Sequence, residues 1–305
     1  MTEAVERFEC YGSRCAVLVI GSGSAGTASQ AARQVRRRLL RWHERFSRFR
    51  PDSELSRVNA DPRARVKVTG TMASLAEAAV WAAEETGGLV DSTLVSEIES
   101  AGYVADLAEP LPLVEAFERA PERQPATPRS GSWWRHIKVD RDMLSLERPP
   151  GLRLDSGGLG KGLFADLVAD LLADHESFAV DCGGDLRLGG TTGVTRQVDV
   201  ASPFGDHVLH RFLLADGGVA TSGIGKRSWL DRKGAPAHHL LDPGSGRPAF
   251  TGIVQATALA PTALTAETLA KAAVLSGPDG ARDWLPHGGV LVYEDGSHEV
   301  VDAGR

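Results

Sequence analysis

Cysteine is scarce, with three among 305 residues. Cys10, Cys15 and Cys182 show no metal-ligand spacing, and an odd count in so long a chain argues against a disulfide framework, so they read as free thiols. Long apolar runs are missing too. Near the N-terminus the longest, Cys15 to Ile20, falls far short of the ~20 residues of a membrane helix, so no membrane insertion is expected. There is no basic excess: 34 Lys and Arg against 40 Asp and Glu leave a net charge of −6, which disfavours nucleic acid as a partner. The opening Met1-Thr2-Glu3-Ala4-Val5-Glu6-Arg7 lacks the basic-then-apolar order of an export signal, and a cytoplasmic location is the expectation. What is present, 42% hydrophobic and 24% charged residues with 16 prolines, is the composition of a folded chain. The length suffices for about two domains of ~150 residues.

Val35, Leu39, Trp42 and Phe46 recur at helical spacing within the arginine-rich segment Arg33 to Arg50, which predicts an amphipathic helix with a solvated basic face. A second helix is expected over Met72 to Thr86, stopped by Gly87-Gly88, with others over Leu163 to Leu172 and Leu264 to Leu275. Segments 136–139, 144–146, 178–181, 197–201 and 208–214 read as strands. Gly289 to Tyr293 and Glu299 to Val301 flank Asp295-Gly296 as a hairpin. The proline- and serine-rich stretch 123–132 reads as a loop that joins two lobes.

Five motifs bear on chemistry. Gly21-Ser-Gly23-Ser-Ala-Gly26 follows a strand and precedes a helix, the local dinucleotide-binding pattern, but no second parallel strand with a ribose-binding acid follows, so a nicotinamide site is not expected. Phe46 to Asn59 contains a helix stop at Pro51-Asp52, after which Ser53 and Ser56 are placed to cap. Asp155-Ser-Gly-Gly158-Leu-Gly-Lys161-Gly162 offers backbone amides and a point charge to an anion at a helix start. Val180-Asp-Cys-Gly-Gly-Asp185 runs a strand into paired glycines that permit close backbone approach. In the fifth, Thr221 and Ser222 are followed by His239 and Asp242 near a forced turn, and histidine is the side chain suited to proton transfer near neutral pH.

In this order the motifs resemble the ApbE family of flavin transferases. The matching segments are Phe8 to Ser13, where Tyr11-Gly12-Ser13 stands for the family's usual Met-Gly-Thr, then Phe46 to Asn59, Gly87 to Thr93 and Asp155 to Asp166. They continue through Val180 to Asp185, Val219 to Gly223, His239 to Gly246 and Ala266 to Lys271. The resemblance implies a single α+β domain with mixed, largely antiparallel sheets and flanking helices, two lobes enclosing one FAD cleft. It implies transfer of FMN from FAD to a threonine or serine hydroxyl of a target flavoprotein, with release of AMP. It assigns Tyr11, Phe49, Leu89, Val90, Asp91, Asp155 and Lys161 to the flavin nucleotide, Lys161 facing phosphate or ribose. His239 becomes the base, supported by Thr221 and Ser222.

The resemblance also implies a magnesium ion held by the carbonyl of Gly158, an aspartate and, four residues later, a threonine. Here those last two positions are Glu267 and Lys271. Glutamate retains an oxygen donor, whereas a charged lysine cannot ligate, and Glu before Lys at this spacing favours an ion pair. Three readings stay open: an ammonium in place of the metal, a protein that binds flavin without transferring it, or an exposed ion pair unrelated to the site.

Overall fold

Tyr11 and Gly12 both take positive φ, 55° and 63°, as a two-residue loop between twisted antiparallel strands demands. They join β1 (Ala4–Cys10) to β2 (Ser13–Ile20), and Gly183 and Gly184 do the same between β3 (Ser177–Cys182) and β4 (Asp185–Gly189). With β5 (Gly217–Gly223), β6 (Ile253–Ala260), β7 (Gly289–Tyr293) and β8 (His298–Val301) they form one eight-stranded sheet. Its spatial order is the chain order, and the pairing is antiparallel throughout. This computed structural model describes residues 2–105 and 110–304.

Between β2 and β3 the chain inserts α1 (Ala28–Phe46), α2 (Glu54–Ala60), α3 (Gly70–Glu85), α4 (Val95–Ser100), α5 (Leu113–Arg119) and α6 (Gly160–Ala169). A small three-stranded sheet of 65–67, 138–140 and 145–147 accompanies them. Thr27 and Gln30 close a reciprocal capping box at the start of α1, and the expected stripe of Val35, Leu39, Trp42 and Phe46 is buried, with Ala31 and Ala32 extending it. Ser53 caps α2, its hydroxyl accepting from the Ser56 amide.

The sheet has two covered faces, and the period of two sorts its residues between them. Val17, Val19, Phe178 and Val180 join the core under α1, α3 and α6, whereas Leu18 and Ala179 face the hairpin Arg196–Ala201/Val208–Leu214 that covers the other side. On the helical face α7 (Ala263–Gly280) lies across β5 and β6, burying Ala220, Ala256, Ala258, Ala266, Ala270 and Ala273. Small side chains let this helix sit close to the strands.

Helix α6 begins three residues earlier than its apolar spacing predicts, because the glycine-lysine run is its first turn. The Gly162 amide, a donor without an intrahelical partner, is taken by Glu267 Oε2 at 2.8 Å. A Cβ on Gly162 would stand 2.6 Å from the Ala263 carbonyl oxygen, so only glycine admits the contact between α6 and α7. In return, Asp166 of α6 accepts the Ala263 and Leu264 amides at 2.9 and 2.8 Å and caps α7.

The segment Gly21 to Gly26 is the start of a small hairpin, Ser22–Gly23 against Gly26–Thr27, and β2 has antiparallel neighbours on both sides. No βαβ unit surrounds those glycines. The three cysteines are free and buried, Cys15 standing opposite Cys182 in the β2–β3 ladder. Segment 123–132 contains no helix or strand, and it is tied down by amides of Gln124 and Ala126 that donate to the carbonyls of Phe250 and Leu275.

Candidate active site

A cleft opens where the turn after α3, the approach to α6, the chain after β5 and the middle of α7 meet. Seven of the residues singled out from sequence line it: Leu89, Val90, Asp91, Asp155, Gly158, His239 and Lys271. The cleft has a volume of about 90 Å³. Ligand clefts run to ~300–1,000 Å³, so a dinucleotide would extend beyond it.

Gly87 and Gly88, both at positive φ, stop α3 and turn the chain so that Leu89 to Asp91 enter the cleft wall. Asp91 Oδ1 accepts from the amide and hydroxyl of Thr93, while its Oδ2 is buried with no hydrogen-bond partner. Burial raises the proton affinity of this carboxyl against the lowering effect of Thr93. Asp155 is held by the Gly157 amide, which donates to Oδ1 at 3.0 Å, and by Arg48, whose Nε lies 3.7 Å from the same oxygen.

His238 and His239 alternate at the end of a short strand. His238 is buried edge-on to Phe250, and His239 faces the cleft. The His239 amide donates to the Arg227 carbonyl at 3.2 Å, and its ring Nδ1 is buried with no hydrogen-bond partner. Burial, helped by the nearby charges of Arg227 and Lys271, holds the imidazole well below its ordinary pKa of 6.5, so it is neutral at physiological pH and free to accept a proton. Asp242 does not orient it. That carboxylate accepts from Thr127, Gly244 and Ser245 amides and holds the turn.

Lys271 Nζ donates to Glu267 Oε1 at 2.9 Å, one helical turn back, and Glu267 is fully buried. The pair is therefore not an exposed one. Both Glu267 oxygens are engaged, one by Lys271 and the other by the Gly162 amide. Among the described residues no cluster of three or more His, Cys, Asp or Glu could hold a metal. Magnesium keeps several waters and takes one or two carboxylates besides, but here both oxygens of Glu267 are already engaged and the place beside Gly158 holds an ammonium, which has no lone pair to give and repels a cation, so these residues do not fit magnesium.

Other expected residues lie elsewhere. Lys161 does not reach the cleft: its ammonium pairs with the buried Asp185 at 2.5 Å, and although burial alone would lower its proton affinity, Asp185 and Glu267 reverse the sign. Tyr11 stacks on Phe164 and donates its hydroxyl to the Leu39 carbonyl, so it is its backbone carbonyl, accepting from Arg227 at 3.0 Å, that bears on the cleft. Phe49 stands behind the cleft wall, the Arg48 guanidinium 4.3 Å from its ring centroid and Tyr103 edge-on beyond. Thr221 and Ser222, neighbours on β5, point to opposite faces. Thr221 is hydrogen-bonded to Thr257 at 2.8 Å on the hairpin side, whereas Ser222 is buried on the α7 side. Neither lines the cleft. The sequence reading passed over Arg227 and Tyr103, which do line it; the one available signal was that Arg227 follows closely on the serine-glycine motif 222–223.

The family model for the ApbE family matches residues 11–293. The chain belongs to the ApbE family. It is 29% identical over 284 residues to an FAD:protein FMN transferase of Treponema pallidum, covering 87% of this chain and 76% of that one. To the enzyme of the same description from Vibrio cholerae it is 27% identical over 253 residues, with 81% and 73% covered. In fold it is similar to the crystal structure of an ApbE protein from Thermotoga maritima, with a TM-score of 0.78, 24% identity and 98% and 97% of the two chains covered. A flavinyl transferase ApbE from Pseudomonas stutzeri in its apo form gives a TM-score of 0.75 at 21% identity, over 98% and 95% of the chains. This ApbE chain thus shares the fold of those structures along nearly its whole length.

Proposed function

We propose that this chain transfers the FMN part of FAD to a threonine or serine hydroxyl of a target flavoprotein and releases AMP. The observation that carries the reading is His239 facing the same cleft as two cationic side chains, Arg227 and Lys271. His239 accepts the hydroxyl proton as the oxygen attacks the FMN-side phosphorus. The bond from that phosphorus to the bridging oxygen breaks, and AMP departs with its electron pair. Phosphoryl chemistry of this kind depends on placement and charge neutralisation, which a base and fixed cations on rigid elements supply. Leu89 to Asp91 and Asp155 bind the nucleotide, and the chain acts as one domain of two lobes around this cleft. Its location is cytoplasmic, and the basic face of α1 is solvated rather than bound to nucleic acid.

Incubation with FAD and the flavin-free form of a protein that the Vibrio cholerae transferase modifies tests this. AMP and an FMN-mass adduct are expected in equal amounts. FAD bound with neither product formed would instead support a flavin-binding protein without transfer. Thr221→Val should leave the transfer rate unchanged and cost about 1 kcal/mol of stability through the lost bond to Thr257; a large rate loss measured at constant fold would place Thr221 in the chemistry after all.

A further inference from the structure

We infer that Lys271 is a catalytic residue of this chain, its ammonium neutralising the scissile pyrophosphate in place of a divalent cation, so that transfer runs without magnesium. The inference rests on the transferase reading above and specifies how its charge is handled.

Three observations meet here. The ammonium is anchored rather than mobile, since Glu267 Oε1 holds it at 2.9 Å and the Gly162 amide holds the other oxygen of that carboxylate. Lys271 is nearly buried, its side chain 10% exposed, yet it lines the cleft, and its Cε lies 3.9 Å from where a Cβ on Gly158 would stand. One of its three N–H groups goes to Glu267, which leaves donors for an anion in the cleft. Glu267 offsets the cost of burying this charge, and Lys161 is tied up by Asp185, so among the described residues that line the cleft Lys271 and Arg227 are the two side-chain cations left to face phosphate. Arg227 is held through the Tyr11 carbonyl, on the side of the β1–β2 turn.

The covalent step keeps its balance. The acceptor oxygen bonds to the FMN-side phosphorus, its proton passes to His239, the bond to the bridging oxygen breaks, and AMP leaves with that electron pair. Lys271 contributes hydrogen bonds and charge to the phosphate oxygens and is unchanged at the end. An ammonium carries one charge and cannot chelate two oxygens, so its fixed position has to make up for its smaller charge.

The test has two arms. In the first, magnesium is titrated calorimetrically into the FAD-loaded chain and into FAD alone. The two titrations are expected to match, and a saturable site on the protein would overturn the inference whether or not transfer occurs. In the second, transfer by the parent chain should be unaffected by EDTA, and Lys271→Met should lower it about 10²–10³-fold with FAD still bound. Lys271→Thr should acquire both a calorimetric magnesium site and EDTA sensitivity. Transfer by the parent chain that EDTA abolishes, or full transfer by Lys271→Met, would overturn the inference while leaving the transferase reading standing. Absence of transfer from the parent chain in every metal condition would remove that reading itself. Should Lys271→Met fail to fold, Lys271→Arg keeps the charge and is expected to retain EDTA-insensitive transfer at a reduced rate, and EDTA-sensitive transfer by it would count against the inference.

Discussion

Replacing His239 by asparagine should lower flavin transfer about 10²–10⁴-fold while leaving FAD affinity close to that of the parent, the usual range for losing a positioned general base. Asparagine keeps a polar group of similar reach but takes up no proton. The backbone amide of His239 is fixed by the Arg227 carbonyl, and the Nδ1 of its ring is buried without a partner, so no other protein group engages that nitrogen. The pH profile provides a separate check. Because burial and the neighbouring cations hold His239 well below 6.5, the base is protonated, and activity lost, only as pH falls through a value under 6.5. The acid limb of kcat/KM reports the free enzyme and is expected in that range. A limb at or above 6.5, or a rate in His239→Asn within a few-fold of the parent, would remove His239 from the base role.

The second large effect is on stability. Lys161→Met should cost about 3–5 kcal/mol, because Asp185 is 1% exposed and is left as an uncompensated buried carboxylate. Asp185 Oδ1 has no hydrogen-bond partner, so no hydrogen bond there makes up for the lost ion pair. Denaturant melts read this directly, and adding Asp185→Asn should recover much of the loss. If Lys161→Met melts with the parent at neutral pH, the pair is not what holds Asp185.

The sequence was most legible where a segment is covered on one side only. The stripe from Val35 to Phe46 names its own buried face, because solvent on the opposite side demands arginine there. It was least legible in β5 and β6, covered by α7 on one face and by the 196–214 hairpin on the other. There both faces take small or apolar residues, the alternation disappears, and Ile253–Ala260 carries no strand signature beyond its composition. For the site, motif spacing identified the segments that converge, and seven of their residues do line the cleft. What spacing could not settle was direction. Thr221 and Ser222 are adjacent in sequence and on opposite sides of a sheet, and Lys161, free to swing in an unfolded chain, is claimed by a carboxylate 24 positions later that only the β3–β4 turn brings near.

Gly162 touches no part of the cleft, yet it governs the distance between the two helices that carry Lys161 and Lys271. A methyl group there meets backbone atoms of Ala263 and Leu264 at 2.6–2.9 Å, and backbone yields only by moving a whole helix. The distance at which α7 presents Lys271 to the Asp155–Gly158 segment ahead of α6 is therefore inherited from a steric limit. Substitution can change the charges of the cleft one by one, but not the separation of the two helices, where the smallest side chain is already in use.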